Sequence, residues 1–352
     1  MPFDQTPLFQ LNLMIFLAWP SAPAFVRPVL REGGFALHAI GPPIPTTLQT
    51  QARAANATPP IPLTPTPSPD LLFSKAESKT LMPMECKLSS FGPEAKQARQ
   101  AAALLSCIST HLADILGLAT PGNWSAMLVY AVRDGFESLM QDTLSSLTTR
   151  LNSALVETVP FGSLGIAVRS DGVYLVPEPR AALPISALMS APTDGVRVMP
   201  LEEGEDPRPL YLVPLDPAYQ THDDYEKRAL EERVRTALAS LVGSRLDQVR
   251  FEVALDDILR AAVEVWDAWA DRNAKKNIRN AVRAYARQVL QQIRKLGLDI
   301  NVDQDRIIFQ HISPSTANEV RRYFSSAGFR QGRIDLWSEA VQLDFSSLAE
   351  GW

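Results

Sequence analysis

Between Pro69 and Val132 the chain reads, in order, as a short apolar strand, a polar turn, a longer apolar strand, an amphipathic helix and a continuous apolar strand. Asp70 to Ser74 forms the first strand, Lys75 to Lys79 the turn and Thr80 to Lys87 the second strand. After a loop at Ser89 to Gly92, Pro93 suits a first helical position and Glu94 complements the helix dipole. Ala98, Ala101, Leu105, Ile108, Leu112 and Ile115 then recur at spacings of three and four, so one helix face packs on the sheet. Gly117 and Pro121 close that helix, and Ser125 to Val132 is apolar throughout, the pattern of a strand buried on both faces. Alternation of this kind requires a sheet covered by helices, an α/β architecture.

The flanking segments divide by composition. Residues 1–44 read as folded: an apolar run from Leu11 to Trp19 (a buried strand or helix, with a signal peptide as the lesser alternative), a short helix over Ala24 to Leu30 and a strand from Phe35 to Ile40. Residues 45–69 are rich in Pro, Thr and Ala, which favours an extended insertion or tether that buries little. Residues 70–176 hold the dense core, continuing with a helix from Phe136 to Leu155 and a hairpin around Ser170-Asp171-Gly172. Residues 177–222, rich in Pro, Asp and Glu, read as a linker with one strand at Leu210 to Val213. Residues 223–352 form a mainly helical α+β domain whose late helix–hairpin–helix order resembles a small winged-helix module.

A net charge of −5 exerts no global pull on nucleic acid or acidic membrane, so any such affinity must come from a local patch or a partner. Two cysteines, Cys86 and Cys107, provide neither a disulfide framework nor a zinc site, which fits the cytoplasm. The N-terminal apolar run is too short to span a bilayer, so no membrane association is expected. None of the four histidines has metal-ligand spacing to another, and no Gly-rich phosphate loop is present.

Chemistry concentrates at Asp70 and at Glu85-Cys86-Lys87. Side chains alternate along a strand, so Glu85 and Lys87 share one face while Met82, Met84 and Cys86 share the other. Asp70 meets them only if the first strand bends or the acid sits at a splayed end. Two carboxylates offer hard oxygen ligands to a divalent cation, and an ammonium beside them adds electrostatic stabilisation. Glu-x-Lys alone carries no weight, because Glu77-Ser78-Lys79 and Glu94-Ala95-Lys96 also match. Only Glu85-Cys86-Lys87 follows an apolar strand and precedes a helix and a buried strand.

Pro69-Asp70 followed by Glu85-Cys86-Lys87 in this frame resembles the PD-(D/E)xK nuclease superfamily, over residues 65–135 and in a wider reading 20–176. The resemblance implies a restriction-endonuclease-like mixed sheet flanked by helices and a Mg²⁺-dependent endonuclease, with Mn²⁺ as a substitute. It implies Asp70 and Glu85 as metal ligands, the Cys86 carbonyl as a further ligand and Lys87 as the catalytic lysine. Gln97 or Gln100 would supply the glutamine that some members add from the following helix. Glu32 is the one acid in reach of the first-helix role. Pro83, inside the catalytic strand, departs from the pattern because it lacks an N–H.

A second feature lies at 272–295. Ile278, Val282, Tyr285, Val289, Ile293 and Leu296 form one face of a helix, with Arg272, Lys276, Arg279, Arg283, Arg287 and Arg294 opposite. Two readings stand: phosphate contact along nucleic acid, or a solvated face pairing with acidic neighbours.

Together these point to hydrolysis of DNA, with RNA also open, by a subunit of a restriction or anti-phage defence complex whose motor or sensor is another protein. The defence context is an analogy from how such folds are used. The rival expectation is a non-catalytic scaffold that keeps the fold.

Overall fold

The computed structural model describes residues 6–20, 25–57, 59–108, 117, 124–151, 159–181, 183–190, 192–201, 212–213, 224–303 and 305–326. The chain divides into two compact units, residues 1–210 with 268–271, and residues 211–267 with 272–352.

In the first unit the N-terminal apolar run is a helix, α1 (Pro7–Ala18). Pro7 occupies its first turn and the Thr6 hydroxyl caps it, accepting from the Phe9 N–H at 3.2 Å. A short helix, α2 (Val29–Glu32), leads into β1 (Ala36–Ile40); Ala24, where the sequence suggested an earlier helix start, lies outside the described residues.

The Pro-rich segment is not a loose tether. It contains helix α3 (Leu48–Ala55), capped by Thr47, and buries Ile44, Ala54 and Ile61 in the main core. Proline cannot donate, but its carbonyl still accepts. Pro65 O accepts from the Thr46 N–H at 2.9 Å and Pro67 O from the Ile44 N–H at 2.8 Å, while the Gly41 N–H donates to Asp70 O at 3.0 Å. Residues 63–70 are thereby laced along 41–46, which fixes the approach to Asp70.

Strands β2 (Leu71–Lys75) and β3 (Thr80–Lys87) form an antiparallel hairpin closed by the Lys75–Thr80 pair, with Lys79 in the left-handed region at φ 49°. Helix α4 (Lys96–Ile108) follows; Leu112 and Ile115, placed by sequence on the same helix, lie outside the described residues. The strand expected at Ser125 to Val132 is split into β4 (Ser125–Ala126) and β5 (Leu128–Arg133), both parallel to β3. Helix α5 (Glu137–Leu151), hairpin β6 (Phe161–Arg169) and β7 (Gly172–Pro177), helix α6 (Ser186–Met189) and β8 (Val196–Pro200) complete the unit. The mixed sheet has the order β1-β2-β3-β5-β6-β7-β8, with β4 beside β3. It curls: the Arg27 N–H, just before α2, donates to Val198 O on the far edge strand at 2.8 Å. Because β8 and α6 belong to this unit, residues 177–200 are not a linker, and of the strand expected at 210–213 only Leu212 and Val213 are described, as bends.

Pro83 explains the split. The Met127 N–H donates to Leu81 O, so odd-numbered main-chain groups of β3 face β4 and β5. Pairing runs Thr80↔Ser125 and Leu81↔Ala126, stops, and resumes in the same register at Met84↔Val129. The gap falls where residue 83 would donate to that neighbour, so the proline removes one rung without shifting the register. On the other side Pro83 pairs with Leu72.

One core cluster lies under this face of the sheet, joining Leu72, Leu81, Leu128, Tyr130 and Val132 to Ala101, Leu104 and Leu105 of α4 and Met140, Leu144 and Leu147 of α5. Leu71, Phe73, Met82 and Met84 point to the opposite face and are fully buried, and α1 packs against β1 and β3.

The second unit contains α7 (Asp224–Gly243), β9 (Arg250–Ala254), α8 (Leu255–Ala262), α9 (Arg272–Lys295), β10 (Asp299–Asp303), β11 (Arg306–Gln310) and α10 (Pro314–Ser325). The expected hairpin gains β9 as a third antiparallel strand, in the order β10-β11-β9, and Phe251 stacks on Phe309 with centroids 4.6 Å apart. Ser313 caps α10 through the Thr316 N–H.

Candidate active site

The hairpin turn decides the geometry. Closure at Lys75–Thr80 sets the register through Leu71↔Met84, which leaves Asp70 directly opposite Glu85 at the next step. Residues opposite one another in an antiparallel pair project to the same face, and Lys87, two residues beyond Glu85 on the same strand, shares that face as Asp70's diagonal neighbour. Asp70 stands at a bend just outside β2, and its Oδ2 accepts from the Cys86 N–H at 2.7 Å. Lys87 Nζ lies 2.6 Å from Glu85 Oε2 and 3.5 Å from Asp70 Oδ2. The splayed strand end that the sequence required is therefore present, and three ionisable side chains meet there.

Helix α4 closes the site from above. Gln100 Nε2 donates to Glu85 Oε1 at 2.7 Å and to Ser68 O at 3.0 Å, tying the glutamate to the Pro-rich strap. Of the two candidate glutamines, Gln100 is the one at the site; Gln97 is exposed. Tyr130 is Glu85's neighbour on β5 and is fully buried, its ring edge-on to Phe91 at 5.8 Å. Glu85 has no solvent exposure, whereas the side chains of Asp70 and Lys87 retain 36% and 32%. Any ligand must enter from the Asp70–Lys87 side.

Burial and the charge of Asp70 push the Glu85 carboxyl up to about 8, with Lys87 and Gln100 opposing. Burial pulls Lys87 down, but the attraction of Glu85 and Asp70 outweighs it and holds the ammonium above its ordinary value. The pair thus holds its protons tightly, with both Glu85 and Lys87 shifted upward. The same burial and the two carboxylates raise the Tyr130 hydroxyl well above its usual range.

Other predicted residues do not join the site. Glu32 is half-exposed and pairs with Arg27 at 3.2 Å, so it does not fill the first-helix role. On α9, Arg279 contacts Asp256 at 3.0 Å and Asp305 at 2.7 Å, and Arg283 also pairs with Asp305. Arg294 donates to Ile300 O at 2.8 Å. Arg287 is half-buried, while Arg272 and Lys276, at the helix start, are exposed. In the middle of the basic stripe, Arg279 and Arg283 thus pair with acids of their own unit.

One residue was missed. Gln10 of α1 is buried to 1% exposure and its Nε2 donates to Lys87 O at 3.1 Å. A glutamine inside an apolar helix was the available signal.

Asp70 and Glu85 offer carboxylate oxygens, and the Cys86 carbonyl, extended like its N–H toward Asp70, adds a third hard donor. That donor set suits Mg²⁺ or Mn²⁺. No cluster of three or more His, Cys, Asp or Glu side chains able to hold a metal occurs among the described residues, so two side chains and a main-chain oxygen are what the site provides. Among the same residues no helix is long and apolar enough to cross a membrane. Comparisons of the chain with protein-family models, with curated proteins and with solved structures return no match.

Proposed function

We propose that this protein is a metal-dependent endonuclease of the PD-(D/E)xK type that hydrolyses phosphodiester bonds in DNA. The convergence of Asp70, Glu85 and Lys87 at one strand end, with Gln100 on Glu85, carries the reading. Strands β1, β2, β3 and β5 form a mixed four-stranded core between α1 and α4, which supports the restriction-endonuclease-like assignment.

Asp70, Glu85 and the Cys86 carbonyl would hold Mg²⁺ or Mn²⁺, which when bound supplies an acidified water and charge neutralisation at phosphorus. Glu85 must give up its proton to serve as a ligand. Lys87, released from its contact with Glu85, is left to orient the attacking water and to stabilise the negative charge that builds on the phosphate oxygens. Tyr130 and Phe91 lie on the buried side, where Glu85 is kept from bulk water. Gln100 fixes the rotamer of Glu85 so that the other carboxylate oxygen stays turned toward Lys87.

With no phosphate-binding loop in the chain, a motor or sensor would be a partner protein, and the reading places the chain in the cytoplasm as part of a restriction or defence assembly. A scaffold reading is favoured by two observations: Asp70 already accepts from the Cys86 N–H, and Glu85 is sealed from solvent. Incubating supercoiled plasmid and single-stranded RNA with the protein and Mg²⁺ or Mn²⁺ separates these readings. Nicking by the wild type, absent in Asp70→Ala and Lys87→Ala, supports the DNA nuclease. Cleavage of RNA alone redirects the substrate, and equal cleavage by all three proteins rejects the site.

A further inference from the structure

Helix α1 carries two buried polar side chains in an otherwise apolar run. Asn12 turns back on its own helix, its Nδ2 donating to Leu8 O at 3.0 Å. Gln10 instead leaves its helix: its Nε2 donates to Lys87 O at 3.1 Å, from the sheet face opposite the carboxylates. Its Oε1 is buried and has no hydrogen-bond partner among the described residues. The amide cannot be turned over to relieve this, because Oε1 would then face the Lys87 carbonyl oxygen, acceptor against acceptor.

Packing does not account for a glutamine here. Methionine has nearly the same length and shape and would remove the stranded Oε1, but it could not donate to Lys87 O. What the glutamine holds is the orientation of the peptide that follows Lys87. Asp70 holds the backbone one peptide earlier, at Glu85–Cys86, through the Cys86 N–H at 2.7 Å. A lysine side chain has four rotatable bonds, and its Nζ stays between two carboxylates only while the backbone at its base is fixed.

We infer that Gln10 is a positioning residue for Lys87, holding the lysine main chain from α1 so that its ammonium is aimed at Glu85 and Asp70. The catalytic consequence rests on the nuclease reading; the geometric one does not.

The test compares wild type, Gln10→Met and Gln10→Glu. With Mg²⁺ and supercoiled plasmid, Gln10→Met should lower kcat by about 10- to 100-fold, the scale of a misplaced catalytic group. KM and Tm should stay near wild type. Gln10→Glu should be impaired at alkaline pH and recover relative to wild type as the pH falls, because a protonated carboxyl donates to Lys87 O; Gln10→Met should show no recovery. The ¹⁵N resonance of the Lys87 ammonium, read without DNA or metal, should move toward that of a solvent-exposed lysine in Gln10→Met. An unchanged resonance overturns the inference whether or not the wild type cleaves. A changed resonance with unchanged kcat overturns its catalytic part. A wild type that cleaves nothing rejects the nuclease reading and leaves the resonance to decide this one.

Discussion

Asp70 stands directly across from Glu85, one step past the last hydrogen-bonded pair of the β2–β3 hairpin, and the Cys86 N–H holds it there at 2.7 Å. Fifteen positions separate the two acids in sequence, yet a single turn length sets them face to face. Lys87 completes the group from two residues along the same strand.

If these groups do the chemistry, Glu85→Gln and Lys87→Ala should each lower plasmid cleavage by about 10²- to 10³-fold, the usual cost of deleting one preorganised electrostatic contact. The neighbouring Glu77-Ser78-Lys79 triplet lies in the turn, so Glu77→Ala and Lys79→Ala should cleave like wild type. Initial nicking rates on agarose gels measure both sets. Equal losses in turn and site variants would remove the basis for singling out this strand end.

The metal-free protein should lose stability as the pH rises. Folded Glu85 keeps its proton up to about 8, whereas the unfolded chain releases it near the ordinary 4.5. The folded state therefore binds more protons through that window, and unfolding free energy falls with increasing pH. Glu85→Gln should flatten the slope and be the more stable protein at pH 8. Urea melts at several pH values in EDTA measure this, and a wild-type slope of the opposite sign rejects it. Mg²⁺ should bind more tightly as the pH rises and should release protons on binding, read by calorimetry in buffers of different ionisation enthalpy.

Gln100 bonds two acceptors at once, Glu85 Oε1 and Ser68 O. Gln100→Leu strands both, and a buried acceptor without a donor costs about 1–3 kcal/mol. Chemical denaturation at pH 6 should show a loss of that order. A variant as stable as wild type would mean that water replaces the amide.

Pro83 interrupts the ladder between β3 and its parallel neighbours without moving the register. Pro83→Val restores an N–H on the side that faces β4 and β5, and a recovered hydrogen bond contributes about 0.5–1.5 kcal/mol net. The variant should be at least as stable as wild type, by urea midpoint, and should show one additional slowly exchanging amide. A clear destabilisation would show that the proline shape, rather than its tolerated defect, is what this position needs.

Local pattern made much of this legible. The β2 and β3 strands, the turn between them, the α4 helix and the β6–β7 hairpin follow from alternation, three-and-four spacing and turn residues, all short-range properties of the chain. Separation of Glu85 and Lys87 from Met84 and Cys86 by face also follows from the period of a strand. The Pro-rich segment misled because composition describes what prolines cannot donate and is silent on what their carbonyls accept. The linker reading failed at β8 for a related reason: an edge strand such as Val196–Pro200 has a weak pattern and is recruited by its neighbour β7.

What the sequence determined by itself is which residues carry charge at the end of an apolar strand, because residue type and strand period are local. Tertiary structure alone decided that Asp70 opposes Glu85, that Gln100 rather than Gln97 reaches it, that Arg279 and Arg283 are taken up by Asp305, and that Gln10 holds Lys87 from behind. Each of these depends on register or on packing between segments far apart in the chain. A one-residue change of register or a small rotation of a helix would alter them while leaving every local pattern intact.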